Sequence, residues 1–574
     1  MAKPAINGIS TKLTSIAEDS ARGAFALMIG DAATNVLAAI ASILIARLLD
    51  PDGYGLYTLA LTVPLIMNYL MGLGLDQALI RFPAKLRSDG RESLIARTIR
   101  AGMGLRFLIG VLVFLLVFTF SWFFATYLLN RPDMSFLVSI ASITILLQSI
   151  TSPGVYALMG LNMMGRSVLI NLFMSITKVV TAPLLILLGF GVAGAVAGHV
   201  LGYLAGAIVG LTLLYWVDRY LRTLKASPPG SLQAEAQDPP PKGGYGFRAR
   251  FHYGLCDLKP MIIYGFPLYF CQILIMLVNQ YQFLLLAFFV SNFDIGNYNA
   301  TISLSAILTM FNYAIALALV PAFSRIDPSK ERSELQKFFD LTVRYGSLIL
   351  VPVSTMAIIF SDELVYILYG ASYTLAPFYF SLYTVLFLFT GIGYSVLESM
   401  FNGIGATRLT LRMHALRAGL FIPLAPLATQ LIGVTGTIII YLLASLAYTV
   451  YGLYLAGNRY GLGLNMGKIW RIYVASGIAT APVVAVHLFV QLGNVLNLAV
   501  GAVSFLAIFL TVAPIVGAVR GVDLENADLM LGKSGLLKTV VKPVMAYELK
   551  LIRDGPKMYA PEVEARLAGG GAEE

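Results

Sequence analysis

The chain has 574 residues, 58% of them hydrophobic and only 12% charged, with a mean hydropathy of +0.79. A soluble domain carries about 25% charged residues, so a water-soluble fold is excluded for most of the length. The net charge of +10 does not point to nucleic acid, because the basic residues are spread over many short loops beside apolar segments.

Met1 to Gly23 carries Lys3, Lys12, Glu18, Asp19 and Arg22. It lacks a short apolar core followed by a cleavage site, so no cleaved signal peptide is expected. Apolar stretches follow near 24–47, 55–75, 104–129, 134–159, 167–189, 190–217, 260–290, 297–321, 342–367, 373–400, 408–430, 433–457, 469–491 and 494–519. Each is about 20 residues or longer and can cross roughly 30 Å of hydrocarbon. The reading is an all-α integral membrane protein with about fourteen transmembrane helices. Turns such as Gly189-Phe190-Gly191 are so short that the helices they join must be antiparallel hairpins.

Between the sixth and seventh stretches, residues 218–259 contain Pro228-Pro229-Gly230 and Pro239-Pro240-Pro241, the composition of an exposed linker without a core. Residues 520–574 are polar and read as a cytosolic tail. Within it, Gly532-Lys533-Ser534 imitates the end of a phosphate-binding loop, but Ala527 stands where the first glycine is required and no strand precedes it. Nucleotide hydrolysis is therefore not expected. Cys256 and Cys271 have no CxxC spacing, and His199, His414 and His487 lie on separate spans, so neither a disulfide framework nor a metal site is expected.

The first half is echoed in the second. An offset of 241 residues carries Ala46 to Ala287 and Gly55-Leu56-Tyr57 to Gly296-Asn297-Tyr298. An offset of 240 carries Asn162 to Asn402 and Gly165 to Gly405. A shared offset indicates duplication. Six spans per copy return the chain to its starting side, so the copies are parallel. The expected organisation is an N-lobe over 1–217, the linker at 218–259, a C-lobe over 260–457, two extra helices over 458–519 and the tail at 520–574. Parallel repeats about an axis along the membrane normal are a transporter architecture.

All but three of the 40 lysines and arginines fall on one side or near that end of a helix. Arg47 and Arg131 lie in the opposite loops, and Lys178 lies inside a span. By the positive-inside rule the basic side is cytoplasmic and holds both termini. The expected location is the cell membrane.

Ile45-Ala46-Arg47-Leu48-Leu49-Asp50-Pro51-Asp52-Gly53-Tyr54-Gly55-Leu56-Tyr57, followed by Gly72-Leu73-Gly74-Leu75-Asp76-Gln77-Ala78-Leu79-Ile80-Arg81, resembles the polysaccharide-biosynthesis (O-antigen, Wzx-type) flippases of the multidrug/oligosaccharidyl-lipid/polysaccharide exporter superfamily. The resemblance covers roughly residues 20–520. It implies two six-helix lobes, alternating access and no enzymatic activity. Its implied cargo is a polyprenyl-(pyro)phosphate-linked oligosaccharide, moved from the cytoplasmic to the outer leaflet for polysaccharide or glycoprotein glycan assembly. The implied partners are that lipid-linked oligosaccharide, the bilayer, and glycosyltransferases or a polymerase of the same pathway; neither a cofactor nor nucleic acid is implied. The linker and tail depart from the minimal family pattern and receive no function. Two other readings remain: an ion-coupled small-molecule efflux antiporter of the same superfamily, and a membrane glycan polymerase or ligase. The latter is disfavoured by short outer loops, the longest offering only Asp362 and Glu363.

Ionisable residues inside spans are costly and therefore informative. Asp31 and Lys178 lie about 7 and 11 residues into spans that both start in the cytoplasm, so their depths differ by about 6 Å. They read as a pair or as walls of one water-filled cavity, with Asp31 compensating charge or holding a coupling cation. The related antiporters resemble this in using an acidic residue of the first helix. The plainer reading is a structural ion pair. Arg417 lies 239 residues beyond Lys178, close to the repeat offset, which puts one cation in each lobe to receive an anionic diphosphate. For Arg417 the competing reading is snorkelling to the surface. Asn35, Asn68, Asn279 and Gln280 are candidate cavity residues because amides both donate to and accept from sugar hydroxyls; interhelical hydrogen bonding is their alternative role. Gly194, Gly198, Gly202, Gly206 and Gly210 read as a close-packing stripe.

Overall fold

A computed structural model of the chain describes residues 5–224, 247–489, 493–521, 523–524 and 535–554. The Pro-rich centre of the linker, the Gly532-Lys533-Ser534 run and the end of the tail lie outside them. Regular structure among the described residues is entirely helical. In chain order the main helices are α1 (Ala5–Leu70), α2 (Leu75–Ser88), α3 (Glu92–Thr119), α4 (Ser135–Gly160), α5 (Met164–Leu185), α6 (Gly191–Leu224), α7 (Phe247–Phe289) and α8 (Asn292–Phe323). They continue with α9 (Arg332–Ile359), α10 (Ala376–Leu388), α11 (Leu397–Gly403), α12 (Thr407–Tyr460), α13 (Met466–Phe489), α14 (Asn494–Val516) and α15 (Gly535–Asp554).

Eight helical stretches among the described residues are long and apolar enough to cross a membrane, or nine if the pair bent by 50° at 393–396 is one span. The protein is a multi-pass membrane protein. These are fewer than the fourteen expected spans, partly because three of the helical stretches are interrupted by a turn and hold two expected spans each. Met164–Val217 and Thr407–Tyr460 each contain 54 residues. A straight helix of that length would reach about 80 Å, far beyond the hydrocarbon. The sequence supplies the breaks. Asp50 takes φ 57° immediately before Pro51, Gly189 and Gly191 take φ 92° and 50°, and Gly433 takes φ 61°. Each interrupts the helical ladder where the hydropathy reading placed a turn.

Packing divides the chain into two compact units: Met1–Ser303 with Ala418–Thr437, and Leu304–Arg417 with Ile438–Glu574. In the first unit α5 and α6 pack antiparallel along the glycine stripe. A Cβ added at Gly194 would meet Leu185, at Gly198 Ala182, at Gly202 Met174 and Lys178, and at Gly210 Ile170. The partner number falls as the glycine number rises, as an antiparallel hairpin requires. A second close approach is reciprocal. A Cβ on Gly55 would overlap the Asn292 carbonyl, and one on Gly296 would overlap the Pro51 carbonyl. Arg131 closes the same end of α7, donating from Nη1 to Ala287 O at 3.0 Å, from Nη2 to Val290 O at 2.9 Å and from Nε to Asn292 Oδ1 at 3.0 Å. Large apolar side chains such as Leu112, Trp122, Phe136 and Leu187 remain exposed, which suits contact with lipid.

The second unit has two apolar cores. One joins Phe323, Phe339, Met400, Phe401 and Met413. The other joins Phe360, Phe505 and Phe509 to Met545 of α15, so the tail helix is part of the packed unit. Arg344 of α9 makes a buried fork to Asp523, at 3.1 Å through Nη1 and 2.6 Å through Nη2.

Candidate functional site

The second unit encloses a cavity of about 340 Å³ lined in part by Asn312, Tyr394, Glu398, Asn402, Arg417 and Tyr448. Its geometry starts from a broken helix. After α10 the chain makes a short 3-10 turn over Phe389–Ile392, Gly393 takes φ 89°, and α11 resumes at a 50° bend. The half-helix presents Glu398, Ser399 and Asn402 to the cavity. Discontinuous helices at membrane depth are tolerated where they line a cavity, and transporter sites are commonly built there.

Arg417 of α12 is 8% exposed. Its Nη2 donates to Tyr441 Oη at 3.1 Å, and its guanidinium lies 4.9 Å from the Tyr441 ring and 5.9 Å from the Tyr448 ring. Tyr383 stacks on Tyr441 at 5.5 Å. Cation–π contacts contribute roughly 2 kcal/mol when desolvated, so the rings hold the cation without neutralising it. The Nε of Arg417 has no hydrogen-bond partner among the described residues. Arg417 is thus buried inside its unit rather than snorkelling outward.

Glu398 accepts from Tyr448 Oη at 2.9 Å, and its other oxygen lies 3.5 Å from His414 Nε2. Its side chain is still 40% exposed, toward the cavity it lines. Asn312 Oδ1 is buried without a partner among the described residues. Thr410 donates to Asn402 Oδ1 at 3.0 Å, which leaves the NH2 of Asn402 as a donor. The sequence reading had not selected Glu398, Tyr394 or Tyr448. An acidic residue five positions after Gly393 in an otherwise apolar span was the available signal.

The remaining candidates lie in the first unit. Lys178 sits on α5 under Gly202, and its charge acts on His199, whose Nδ1 is 3.3 Å from Tyr57 Oη. Asp31 is half-buried on α1, and no ion pair joins it to Lys178 among the described residues. Asn68 is occupied by Arg106, whose Nη2 donates to Asn68 Oδ1 at 3.0 Å and lies 3.6 Å from Asp76 Oδ2. Arg106, one of the basic cluster that follows the second span, is 1% exposed. Asn35 and Asn279 are exposed, and Gln280 Oε1 is buried without a partner among the described residues.

The family described as "Polysaccharide biosynthesis protein" matches residues 20–327, more than half of the chain. The chain belongs to that family. A probable low-salt glycan biosynthesis flippase, Agl15 of Haloferax volcanii, is 23% identical over 134 residues. That match covers 23% of this chain and 27% of the relative, so it spans about a quarter of the relative's length. Among solved structures, the lipid II flippase MurJ in an inward closed conformation superposes with TM-score 0.66 at 13% identity, over 85% of this chain and 98% of that one. An inward-facing multidrug resistance MATE family transporter of the MOP superfamily gives TM-score 0.57 at 16% identity, over 74% of this chain and 94% of that one. At these identities the superpositions establish the shared fold.

Proposed function

We propose that the protein is a flippase that carries a polyprenyl-diphosphate-linked oligosaccharide from the cytoplasmic to the outer leaflet by alternating access, without catalysing a covalent step. The carrying observation is Arg417, a buried cation held by tyrosine rings at the wall of a cavity among the helices of the second unit. A diphosphate leaving water must exchange hydration for fixed positive charge. Too many unpaired cations would trap it; Arg417 on α12 and Lys178 on α5 give each unit a single cation of this kind and no deep well. The 1–217 and 260–457 lobes, the cytoplasmic termini and a charge-compensating Asp31 belong to the same reading. Family membership supports the glycan-assembly setting.

The test is export of the lipid-linked glycan in cells carrying Lys178→Ala, Arg417→Ala or both, at matched protein levels in the membrane. Each single variant should lower export, and Lys178→Arg should retain more than Lys178→Ala. Full export by the double variant would sink the assignment of these cations.

A further inference from the structure

The cavity in the second unit is lined by a cation and a carboxylate that act on each other electrostatically without direct contact. Arg417 and Glu398 both line it, yet no ion pair joins them among the described residues. Arg417 is engaged by Tyr441 and Tyr448, while Glu398 is engaged by Tyr448 and His414. A diphosphate alone would gain from Arg417 and be repelled by Glu398. A ligand with an anionic part and an adjacent hydroxyl-rich part would satisfy both.

We propose that this cavity reads the sugar attached directly to the diphosphate, with Glu398 and Asn312 accepting its hydroxyls, and that it selects a neutral sugar over an acidic one. The inference rests on the flippase reading above and names the chemistry of the cargo at that site.

The acceptors are in place. Glu398 keeps a solvent-facing edge after its contacts with Tyr448 and His414. Asn312 Oδ1 is buried with no donor from the described residues. An acceptor buried without a donor costs on the order of 1–3 kcal/mol, and a sugar hydroxyl would recover it. Asn402 contributes the complementary donor. Tyr394 supplies aromatic surface for the C–H face of a pyranose, and the buried Tyr448 backs it edge-on at 6.2 Å between ring centroids. The volume of about 340 Å³ is near the lower end for small-molecule pockets, roughly 300–1,000 Å³. It suits one sugar beside a diphosphate rather than a whole oligosaccharide. A uronate in the same place would set its carboxylate against Glu398, and like charges brought together out of water are strongly unfavourable.

The experiment uses the full chain in lipid nanodiscs and three water-dispersible probes: farnesyl diphosphate, farnesyl diphosphate-glucose and farnesyl diphosphate-glucuronate. The glucose probe should bind about tenfold tighter than the glucuronate probe, the scale of one unfavourable charge contact. Glu398→Gln should bring the two within about threefold and should bind farnesyl diphosphate at least as tightly as the unaltered protein, since the carboxylate that repels the diphosphate is gone; that binding also certifies that the variant is folded. Asn312→Ala should weaken the glucose probe selectively. Arg417→Ala should weaken all three alike. Equal binding of the glucose and glucuronate probes to the unaltered protein, or undiminished discrimination by Glu398→Gln, overturns the inference and leaves the flippase reading standing. Failure of every probe to bind, farnesyl diphosphate included, overturns both.

Discussion

Arg106 shows how one buried charge is tolerated in an apolar helix. It is 1% exposed, yet it reaches Asn68 and Asp76 through Nη2, while Nε and Nη1 find no partner among the described residues. In the sequence it follows Arg97 and Arg100 closely, with the spacing of a loop-side cation. Only the packing of α1, α2 and α3 turns it inward. Replacing Asp76 by Ala leaves this guanidinium uncompensated, and the expected loss of stability is on the order of 3 kcal/mol. Thermal unfolding in detergent measures it. The double replacement Asp76→Ala with Arg106→Met should regain part of that loss, because removing both charges removes the desolvation penalty as well. A double variant no more stable than Asp76→Ala would show that Arg106 works through packing of its stem. The same contrast separates the amides. Asn68 is committed to Arg106, whereas Asn312, which had no distinguishing sequence signal, faces a cavity.

At the level of elements, the reciprocal contact of Gly55 with Asn292 and Gly296 with Pro51 joins two segments separated by the same 241 residues as the repeat. Residue i touching the counterpart of j, while j touches the counterpart of i, is the pattern of a two-fold contact. It supports the duplication read from the glycines themselves. Gly55→Val or Gly296→Val forces the two backbones apart and should cost about 1–3 kcal/mol, again read from thermal unfolding. Gly419→Ala is the control, since its Cβ would meet nothing within 4 Å; mid-helix, it should be neutral or stabilising by about 0.5–1 kcal/mol. The tail helix α15 carries a pH-dependent contact. Burial, aided by the nearby Asp523 carboxylate, pushes Glu548 up to about 7 from the ordinary 4.5. The folded state therefore binds a proton that the unfolded state releases between about pH 4.5 and 7, so stability falls as pH rises through that window. Limited proteolysis after α15 at pH 5 and at pH 8 should show tighter docking at the lower value. Glu548→Gln should flatten the difference; a difference that survives it places the titrating group elsewhere.

For the whole molecule, the charge asymmetry predicts which side each segment faces. With Cys256 and Cys271 replaced by Ser, a cysteine at Gln233 should resist an impermeant thiol reagent in intact cells, and one at Asp133 should react. The reverse pattern inverts the topology and, with it, the direction in which the cargo leaves the cytoplasm. Asp133 is exposed, so its silence would not be a matter of burial.

Bilayer physics explains how much of this protein its sequence determined. Apolar length, the placing of turn glycines and prolines, and the one-sided basic residues are local properties that water and lipid read directly. They were enough for an all-helical membrane protein, for the hairpin at Gly189-Phe190-Gly191 and for the close-packed stripe from Gly194 to Gly210. The motif around Asp50-Pro51 and the Gly72–Arg81 run pointed to the family. Local properties do not determine which polar side chains meet. Arg417 was legible as a charge inside a span, but its tyrosines come from positions 383, 441 and 448, and no spacing rule joins them. Glu398 falls near the end of the 373–400 stretch, and it is the bend at Gly393 that sets α11 against the cavity. Asn68 and Asn312 are the same residue type in similar apolar runs, and one is a hydrogen-bond acceptor for an arginine while the other faces a cavity. The environment of a polar side chain in a membrane protein is set by helices distant in sequence, so those assignments belonged to the tertiary structure.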